Sequence, residues 1–451
     1  MFRASLLFVV FLPNFIFAQT TISLSSAPSP VQQPAAPAGQ AAPSGAQQTS
    51  LPSPPSPIPS KVITLDEAIS LALANSPTLK ATRTQIQQNQ AQEVTANLRP
   101  NPVLGADSQF LPFFSPSQFS EDVEQFDVGL GYTFERGGKR HKRLLAARDQ
   151  TAVTTSQVAD AERTLTFNVA QQFINALLAN SNLAFAQEAL KSFEQTVNIS
   201  EQRYKAGDIS EGDYLKIKLQ LLQFQTDVSS ARVAKVQALG SLRQLIGYAV
   251  LPRDYDVNGI LVYQPLTAKL EDLEARAVNQ RPDFRAAQQG ISAAQSQINL
   301  AKANGKQDVT LTANYSHTPG LSSISWFVSI PIPIFDRNQG EVARTRFALT
   351  QAEFTEKAAQ DTVMTDVINA YEATETNQEV VQLYTSGYLK QAEDSRNISA
   401  YAYKGGAATL LDFLDAERSY RATQLAYRQA LAAYMLSLEQ LRQAVGTRSL
   451  P

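Results

Sequence analysis

Short segments in which apolar and polar residues alternate occur twice along the chain, each before a long proline-free segment. In FDVGLGYTFE and ISWFVSIPIPI, large apolar side chains take every second position, while small, polar or proline residues take most of the others. A period of two with one apolar face predicts half-buried strands. The predicted apolar faces consist of Phe126, Val128, Leu130, Tyr132 and Phe134 in the first segment and Ile324, Trp326, Val328, Ile330, Ile332 and Ile334 in the second.

Each of these strands is predicted to have a partner just before or after it in sequence. VLGADSQF (103–110) and VTLTANYS (309–316) show the same alternation, the first weakly and the second clearly. His317, in the SHTPG that follows, is predicted to be an external-loop residue, with a metal-ligand role as the minor alternative. Four short strands are therefore expected in the whole chain.

Long helices are predicted between the strand pairs, because no proline lies between Pro116 and Pro252 or between Pro333 and Pro451. The break in each run is a related phrase, YKAGDISEGDYL (204–215) and YKGGAATLLDFL (403–414). Gly207 in the first copy, and Gly405 with Gly406 in the second, are predicted to provide a left-handed or tight turn. A helix from 139 to 206 would be about 100 Å long.

A heptad pattern follows each turn, and it occurs in the same register in both copies. Apolar or aromatic residues recur every seven positions, interrupted once in the first copy by Lys235. One such stripe fits an ordinary amphipathic core helix, but two in the same register indicate coiled-coil packing in an internal duplication. The stripes are Tyr214, Leu221, Val228 and Leu242 in the first copy and Phe413, Tyr420, Tyr427, Tyr434 and Leu441 in the second. The predicted repeats are residues 61–260 and 261–451.

The apolar strand faces admit two interpretations, a soluble sandwich or a sheet that faces lipid. A sandwich needs a second sheet, and the opposite strand faces are too small and polar for a packed interior. Strands of about ten residues suit an outer membrane, but four strands cannot close a barrel. The lipid interpretation therefore requires other copies, and a trimer would supply twelve strands and about twelve helices.

Composition excludes several classes of function. Charged residues form 18% of the chain and the net charge is −2, so no basic surface for nucleic acid is indicated. With no cysteine and only His141 and His317, neither thiol chemistry nor a Cys/His metal site is expected. No nucleophile–base motif or phosphate-binding loop is present. We therefore expect no enzyme activity and no cofactor.

The N-terminal residues predict export. Residues 1–18 have one cation, an apolar run and a final Ala18, which is the layout of a signal peptide. A short membrane anchor is the alternative, disfavoured by the length of the run and by Pro13. Residues 19–60 carry no charge and are rich in Pro, Ala, Ser and Gln, so they are predicted to form a disordered tether.

The duplicated plan of helix, strand pair, long helix, glycine turn and returning helix resembles the TolC-like outer-membrane efflux proteins. The resemblance covers Val62 to Gly446 and is most specific in ITLDEAISLALANSP and YKGGAATLLDFLDAERSY. SIPIPIFDRNQGEVARTR is similar to the branch that exports heavy metals and cations. The resemblance implies a mainly α fold with a small transmembrane β part, in which a homotrimer forms a 12-stranded β-barrel and a 12-helix α-barrel. It also implies an outer membrane location in a Gram-negative bacterium, extending into the periplasm.

The resemblance further implies a gate at the periplasmic tip. An acidic pair that lines the constriction in the family falls on Asp412 and Asp415, which the helix spacing places one turn apart. Three copies would form two anionic rings, which suit a cation filter; the alternative is that both are solvated acids at a helix start. Asp213 and Tyr403 fall where the family makes closing polar contacts. The arginine partner falls on Leu431, which leaves Arg421 or Arg428 as substitutes.

Basic residues mark two other places in the chain. Lys205 and Lys404, beside the glycine turns, are candidates for contact with a periplasmic adaptor, with simple exposure near a helix end as the alternative. Arg136, Lys139 and Arg140 follow a strand, and they are predicted to mark the periplasmic membrane boundary rather than a binding site.

Three functions follow from these observations. The leading hypothesis is a passive exit duct that works with a periplasmic adaptor and an inner-membrane pump, either in efflux of metal cations or drugs or in type I protein secretion. The second is a non-conducting periplasmic coiled-coil spacer, which the aromatic strand faces disfavour. The third is a secreted enzyme, for which no motif is present. The sequence does not specify the cargo.

Overall fold

The computed structural model describes residues 61–109, 125–318 and 320–449. The predicted signal peptide (1–18) and tether (19–60) lie outside the described residues, as does Phe110 at the end of the first predicted strand.

The chain runs twice through a pair of short helices, a strand pair and a long helical hairpin. The first pass consists of β1 (Val62–Ile63), α1 (Leu65–Asn75), α2 (Pro77–Ala96), β2 (Val103–Gln109), β3 (Gln125–Phe134), α3 (Lys139–Lys205), α4 (Glu211–Ile246) and β4 (Asp256–Val257). The second consists of α5 (Leu270–Gln280), α6 (Pro282–Asn304), β5 (Val309–Thr318), β6 (Leu321–Ser329), α7 (Gln339–Leu383), a π-helical turn (Tyr384–Tyr388), α8 (Leu389–Lys404) and α9 (Leu410–Val445). Pro77 and Pro282 both stand at the first helical position, where the missing N–H costs no hydrogen bond.

The four longer strands form one antiparallel sheet in the order β2-β3-β5-β6. Its apolar face is open, since Phe126, Leu130 and Trp326 are 51%, 55% and 70% exposed. Strand β6 ends at Ser329, so Ile330 and Ile332, predicted as strand residues, lie beyond it. Pro331 and Pro333 have no N–H for a strand ladder, and the alternation therefore continues after the strand has stopped.

The other face of the sheet is concave and lined by small and polar side chains. Gly129, Gly131 and Thr133 of β3 lie there beside Thr312 and Asn314 of β5. Larger apolar side chains share this face at Phe327, which pairs in register with Thr312, at Val103, which pairs with Gly131, and at Leu321, which pairs with Thr318. The sheet is thus two-sided as predicted, with one aromatic residue on its polar side.

His317 is a strand residue and not a loop residue as predicted. It lies in β5 opposite Ser322, and its Nδ1 is 3.0 Å from the Ser322 Oγ. The turn that follows contains Gly320, whose φ of +83° explains the choice of glycine.

The first helical hairpin forms as predicted. Helix α3 is continuous over 67 residues, which gives it a length of about 100 Å. Its turn into α4 uses Gly207 at a φ of +83°, and the matching turn of the second hairpin uses Gly406 at +77°. Gly405 was predicted to share this role but has an ordinary helical φ of −82°, close to the −81° of Ala206 at the equivalent place.

The outgoing helix of the second hairpin is interrupted, which the sequence did not predict. Helix α7 ends at Leu383 and α8 begins at Leu389, and a π-helical turn joins them. Gly387 within it has a φ of +144° and a ψ of −20°. The equivalent position in the first hairpin lies inside the regular helix α3.

The predicted heptad stripes are the packed faces of α4 and α9. Val228, Leu242, Tyr434 and Leu441 are all buried. Lys235 interrupts the stripe because its ammonium pairs with Asp256 at 2.6 Å. Burial alone would raise the pKa of Asp256, but hydrogen bonds from Lys235 and Asn180 outweigh it and hold the pKa below its usual value.

A second stripe on α4 is exposed. It lies along the face opposite the packed one, with successive spacings of four, three, eleven and three residues. It consists of Leu215, Leu219, Leu222, Val233 and Val236, which are 49% to 70% exposed. The described chain therefore leaves a coiled-coil face of α4 without a partner.

Candidate functional site

The two helical tips are built from equivalent aromatic pairs. Tyr403 stacks on Phe413 with ring centres 5.3 Å apart, and Tyr204 stacks on Tyr214 at 5.0 Å. Tyr403 is buried, and its hydroxyl has no hydrogen-bond partner among the described residues. The predicted polar closing role of Tyr403 therefore has no partner within the described chain, and its ring packs in an apolar cluster instead.

The two returning helices begin with equivalent caps. The backbone N–H of Asp412 donates to the Thr409 Oγ1 at 3.2 Å, and the Asp412 carboxylate accepts from the Thr409 hydroxyl at 2.7 Å. Asp213 and Ser210 repeat this arrangement at the start of α4, at 3.1 and 3.0 Å. Both acids occupy the place where a carboxylate stabilises a helix start. The hydrogen bonds from Thr409 lower the pKa of Asp412.

Asp415 lies one turn further along α9 and is open to solvent. Its side chain is 69% exposed, and within the described ranges its ion-pair contact is with Arg418 at 3.9 Å. The structure thus places Asp412 and Asp415 close together on the exposed start of α9, with the first carboxylate oriented by a cap and the second free to turn outward.

The arginines suggested as substitutes for Leu431 have different partners. Arg421 pairs with Asp227 of α4 and lies 4.1 Å from the centre of the Phe224 ring. Arg428 donates to the Ser181 hydroxyl at 3.2 Å, and burial lowers its pKa. Leu431 itself is buried with Val381 and Tyr434.

Two arginines near the tips make polar contacts that the sequence did not predict, and each joins α3 to α8. Arg203 of α3 donates to the Tyr403 carbonyl at 2.8 Å. Arg396 of α8 pairs with Glu417 at 3.0 Å and donates to the Ser192 hydroxyl of α3 at 3.1 Å. A signal was available for Glu417, since it follows Phe413 by four residues and so falls at an inward heptad position where charge is unusual.

The lysines beside the turns differ in their surroundings. Lys205 pairs with Glu201 on the preceding turn at 2.8 Å, which raises the pKa of Lys205. Lys404 is exposed and has no ion pair within the described part of the chain. Both side chains remain at the solvent-facing end of the hairpins.

The basic residues after β3 are mostly paired. Lys139 binds Asp308 at 2.7 Å, and Arg140 donates to the Asn97 side chain at 3.0 Å. The guanidinium of Arg136 is exposed; among the described residues, only the backbone N–H of Arg136 is engaged, by Asp308 at 2.9 Å. These contacts fix the junction between the sheet and α3.

Within the described ranges, no group of three or more His, Asp or Glu side chains is arranged to hold a metal ion. Over the same ranges, no helix is both long enough and apolar enough to cross a bilayer.

Comparisons with known proteins identify the family of the chain. The family model described as outer membrane efflux protein matches residues 68–248 and 273–447. The chain is 22% identical to the cobalt-zinc-cadmium resistance protein CzcC of Cupriavidus metallidurans, over 81% of this chain and 85% of that protein. It is 25% identical to the cation efflux system protein CusC of Escherichia coli O6:H1, over 79% and 80%. It is 26% identical to the pyoverdine export outer membrane protein OpmQ of Pseudomonas aeruginosa, over 85% and 83%.

The fold also matches that of a solved channel. A crystal structure of CusC superposes with a TM-score of 0.69 at 22% identity and covers 85% of this chain and 92% of its own. The match confirms the TolC-like arrangement of strand pairs and long hairpins. The chain belongs to the outer membrane efflux protein family, which confirms the predicted family, fold and outer-membrane location.

Proposed function

We propose that three copies of the chain form a passive exit duct, in which the sheets close a lipid-embedded barrel and the hairpins close a periplasmic tube. The observation that carries this proposal is the open sheet. Among the described residues, strands β2 and β6 each have one neighbour, so both edges of the sheet expose unpaired N–H and C=O groups. An apolar outer face and a small, polar concave face suit lipid on one side and a water-filled channel on the other.

The helices support the same assembly. The exposed stripe of α4 and the exposed Phe347 (76%) and Phe354 (70%) of α7 lie on different helices of one copy. Apolar side chains at coiled-coil spacing lose contact with water when a second helix packs against them. Neighbouring copies supply such helices in a closed ring, and each copy then contributes two hairpins.

The partners are a periplasmic adaptor and an inner-membrane pump, which supplies the energy. The adaptor docks at the glycine turns, where Lys205, Lys404 and the residues around Gly207 and Gly406 are exposed. We assign no catalytic step and no cofactor to the duct, because conduction needs neither. The stacked aromatic pairs and the helix caps at the tips hold the hairpin ends around an opening.

The cargo proposed first is a metal cation. CzcC and CusC are named for metal resistance and cation efflux, and the acids at the tip suit a positively charged solute. OpmQ, which is named for pyoverdine export, is similar to this chain over a comparable length and at a comparable identity. An organic solute is therefore the second candidate cargo. Type I protein secretion is the third.

The gate of this duct is proposed to contain Asp412 and Asp415. Three copies bring six carboxylates to the tip in two rings one helical turn apart, and the hydrogen bonds from Thr409 lower the pKa of Asp412 and so favour its charged form. Asp213 occupies the equivalent place on the first hairpin. At the tip of the second hairpin, the ring of Tyr403 holds its packing through contact with Phe413.

Disulfide crosslinking tests the ring directly, because the chain has no cysteine of its own. Leu104→Cys on β2 is combined in turn with Ile324→Cys, Trp326→Cys and Val328→Cys on β6, all on the apolar face. The proposal predicts that at least one pair gives a covalent trimer on a denaturing gel after oxidation. Each single cysteine variant is the control and gives at most a dimer. A failure of all three pairs in membrane-inserted protein would contradict closure through β2 and β6.

A further inference from the structure

A cleft at the junction between the sheet and the helices combines unpaired cations with an apolar wall. Arg136 and Gly137 form one side, Gly305 and Lys306 form the floor, and the segment from Ile330 to Pro333 forms the other side. The cleft uses residues from both repeats, and the duct proposed above assigns no role to it.

The two cations of the cleft are free. Neither the Arg136 guanidinium nor the Lys306 ammonium has an ion-pair or hydrogen-bond partner among the described residues. Their neighbours Lys139 and Arg140 are engaged by Asp308 and Asn97. Within the part of the chain that the structure describes, two positive charges therefore face the cleft without a carboxylate partner.

The backbone fixes the position of Lys306. A Cβ at Gly137, whose φ is +73°, would lie 2.6 Å from the Lys306 Cδ, so the lysine stem passes directly over the glycine. A Cβ at Gly305 would lie 2.5 Å from the Arg337 carbonyl oxygen. The two glycines thus allow the lysine and the segment before α7 to approach the floor of the cleft closely.

The apolar wall is unusually exposed. Ile330, Ile332, Ile334 and Phe335 are 49%, 80%, 64% and 89% exposed. Ile330 and Ile332 line the cleft, and Ile334 and Phe335 follow them directly in sequence. Four exposed apolar side chains of this size within six residues are costly in water, and such a surface marks an interaction site. The wall continues the apolar face of β6, so in the proposed duct it lies where lipid acyl chains give way to headgroups.

From these contacts we propose that the cleft binds one anionic phospholipid of the periplasmic leaflet. The phosphodiester group lies between Arg136 and Lys306, and an acyl chain lies along Ile330 and Ile332. Paired cations next to an apolar surface are the combination that recognises acidic lipid at an interface. This proposal rests on the proposed function, which places the sheet in the membrane.

The single tryptophan of the chain, Trp326, provides the test. It lies on the apolar face of β6, four residues before Ile330, and so about 13 Å from the cleft. The full mature chain is reconstituted in bilayers of brominated phosphatidylcholine mixed with unbrominated phosphatidylglycerol, and in bilayers with the bromine on the other lipid. Quenching of Trp326 fluorescence then gives the relative affinity for the two lipids.

The proposal predicts that wild-type protein prefers phosphatidylglycerol and that the preference weakens with salt. Arg136→Gln/Lys306→Gln lowers the preference by about fivefold for each cation removed. Arg346→Gln/Lys357→Gln removes the same charge from exposed, unpaired positions on α7 and leaves the preference unchanged.

Three results would overturn the proposal in distinguishable ways. If Trp326 is quenched but shows no preference, the sheet lies in lipid and the cleft does not select anionic lipid. If the Arg136/Lys306 variant keeps the preference but loses trimer stability, a neighbouring copy of the chain covers the cleft. If no brominated lipid quenches Trp326 in folded, reconstituted protein, the membrane position of the sheet, and with it the proposed function, is wrong.

Discussion

Arg421 of α9 pairs with Asp227 of α4 across 194 positions of sequence and so ties the returning helix of one hairpin to that of the other. The guanidinium also covers the ring of Phe224, which stacks on Phe193 of α3 at 4.3 Å. An ion pair above a packed aromatic pair holds the two hairpins together near their tips. In the proposed duct, this contact opposes separation of the tips.

Loss of that pair is expected to loosen the tips. Arg421→Gln removes one partner of a partly exposed pair, at a cost of about 1 kcal/mol, and should increase the single-channel conductance. Asp227→Asn should act in the same direction. The double reversal Asp227→Arg/Arg421→Asp should restore a conductance near that of wild type. An increase that persists in the double reversal would show that packing on Phe224, and not the ion pair, restrains the tips.

Gly387 is expected to resist substitution. Its φ of +144° is strained for any residue with a side chain, so Gly387→Ala should cost about 1–3 kcal/mol or force the π-helical turn to rearrange. Gly290→Ala in the regular helix α6 is the matched control; no atom lies within 4 Å of its added Cβ, and it should stabilise by about 0.5–1 kcal/mol. Thermal unfolding followed by circular dichroism measures both. Equal effects of the two substitutions would contradict a structural role of the break.

Acidic pH is expected to lower the free energy of unfolding through the ion pairs of Arg281. This arginine is 3% exposed and pairs with Asp283 at 2.5 Å and with Asp366 at 2.9 Å. Burial alone would raise the pKa of Asp283, but Arg281 and the charge of Arg163 outweigh it, and the pKa lies below its usual 3.8. The stabilisation is therefore complete above the unfolded-state pKa and is lost as pH falls through the lower folded-state pKa.

Asp283→Asn should remove that stabilisation at every pH. The expected cost is on the order of 2 kcal/mol at pH 7, less than for a fully orphaned buried charge because Asp366 remains. Urea unfolding at several pH values tests this: the difference between wild type and variant should shrink below about pH 4. A difference that is constant down to pH 2 would mean that the ionised carboxylate contributes nothing.

Sequence predicted the repeated elements well because their signals are local. Alternation identified all four strands of the sheet, and prolines and heptads located both hairpins. The sequence also contains a signal for the end of β6, since Pro331 and Pro333 cannot join a strand ladder. The prediction followed the alternation of Ile330 and Ile332 instead and therefore extended the strand too far. Phe327 shows the same limit, because a single aromatic residue on a polar face does not change the pattern.

The errors at glycines have a different origin. Gly240 and Gly290 lie in regular helices, whereas Gly387 breaks one, and nothing in their immediate sequence separates the three. Gly405 takes the same backbone conformation as Ala206, so the turn does not require a glycine at position 405. At the candidate gate, spacing placed Asp412 near Asp415, but the partners of Arg421 and Arg203 come from distant positions and depend on how the hairpins pack.

The central claim is that the protein is a duct with an acidic gate, and single-channel recording in planar bilayers tests it most directly. Wild type is compared with Asp412→Asn/Asp415→Asn and, as a matched control at the other tip, with Asp208→Asn/Glu211→Gln. The account predicts small cation-selective currents for wild type and control, and larger currents with less selectivity for the gate variant. Reproducible absence of conductance from trimeric, membrane-inserted protein, gate variant included, would contradict the duct.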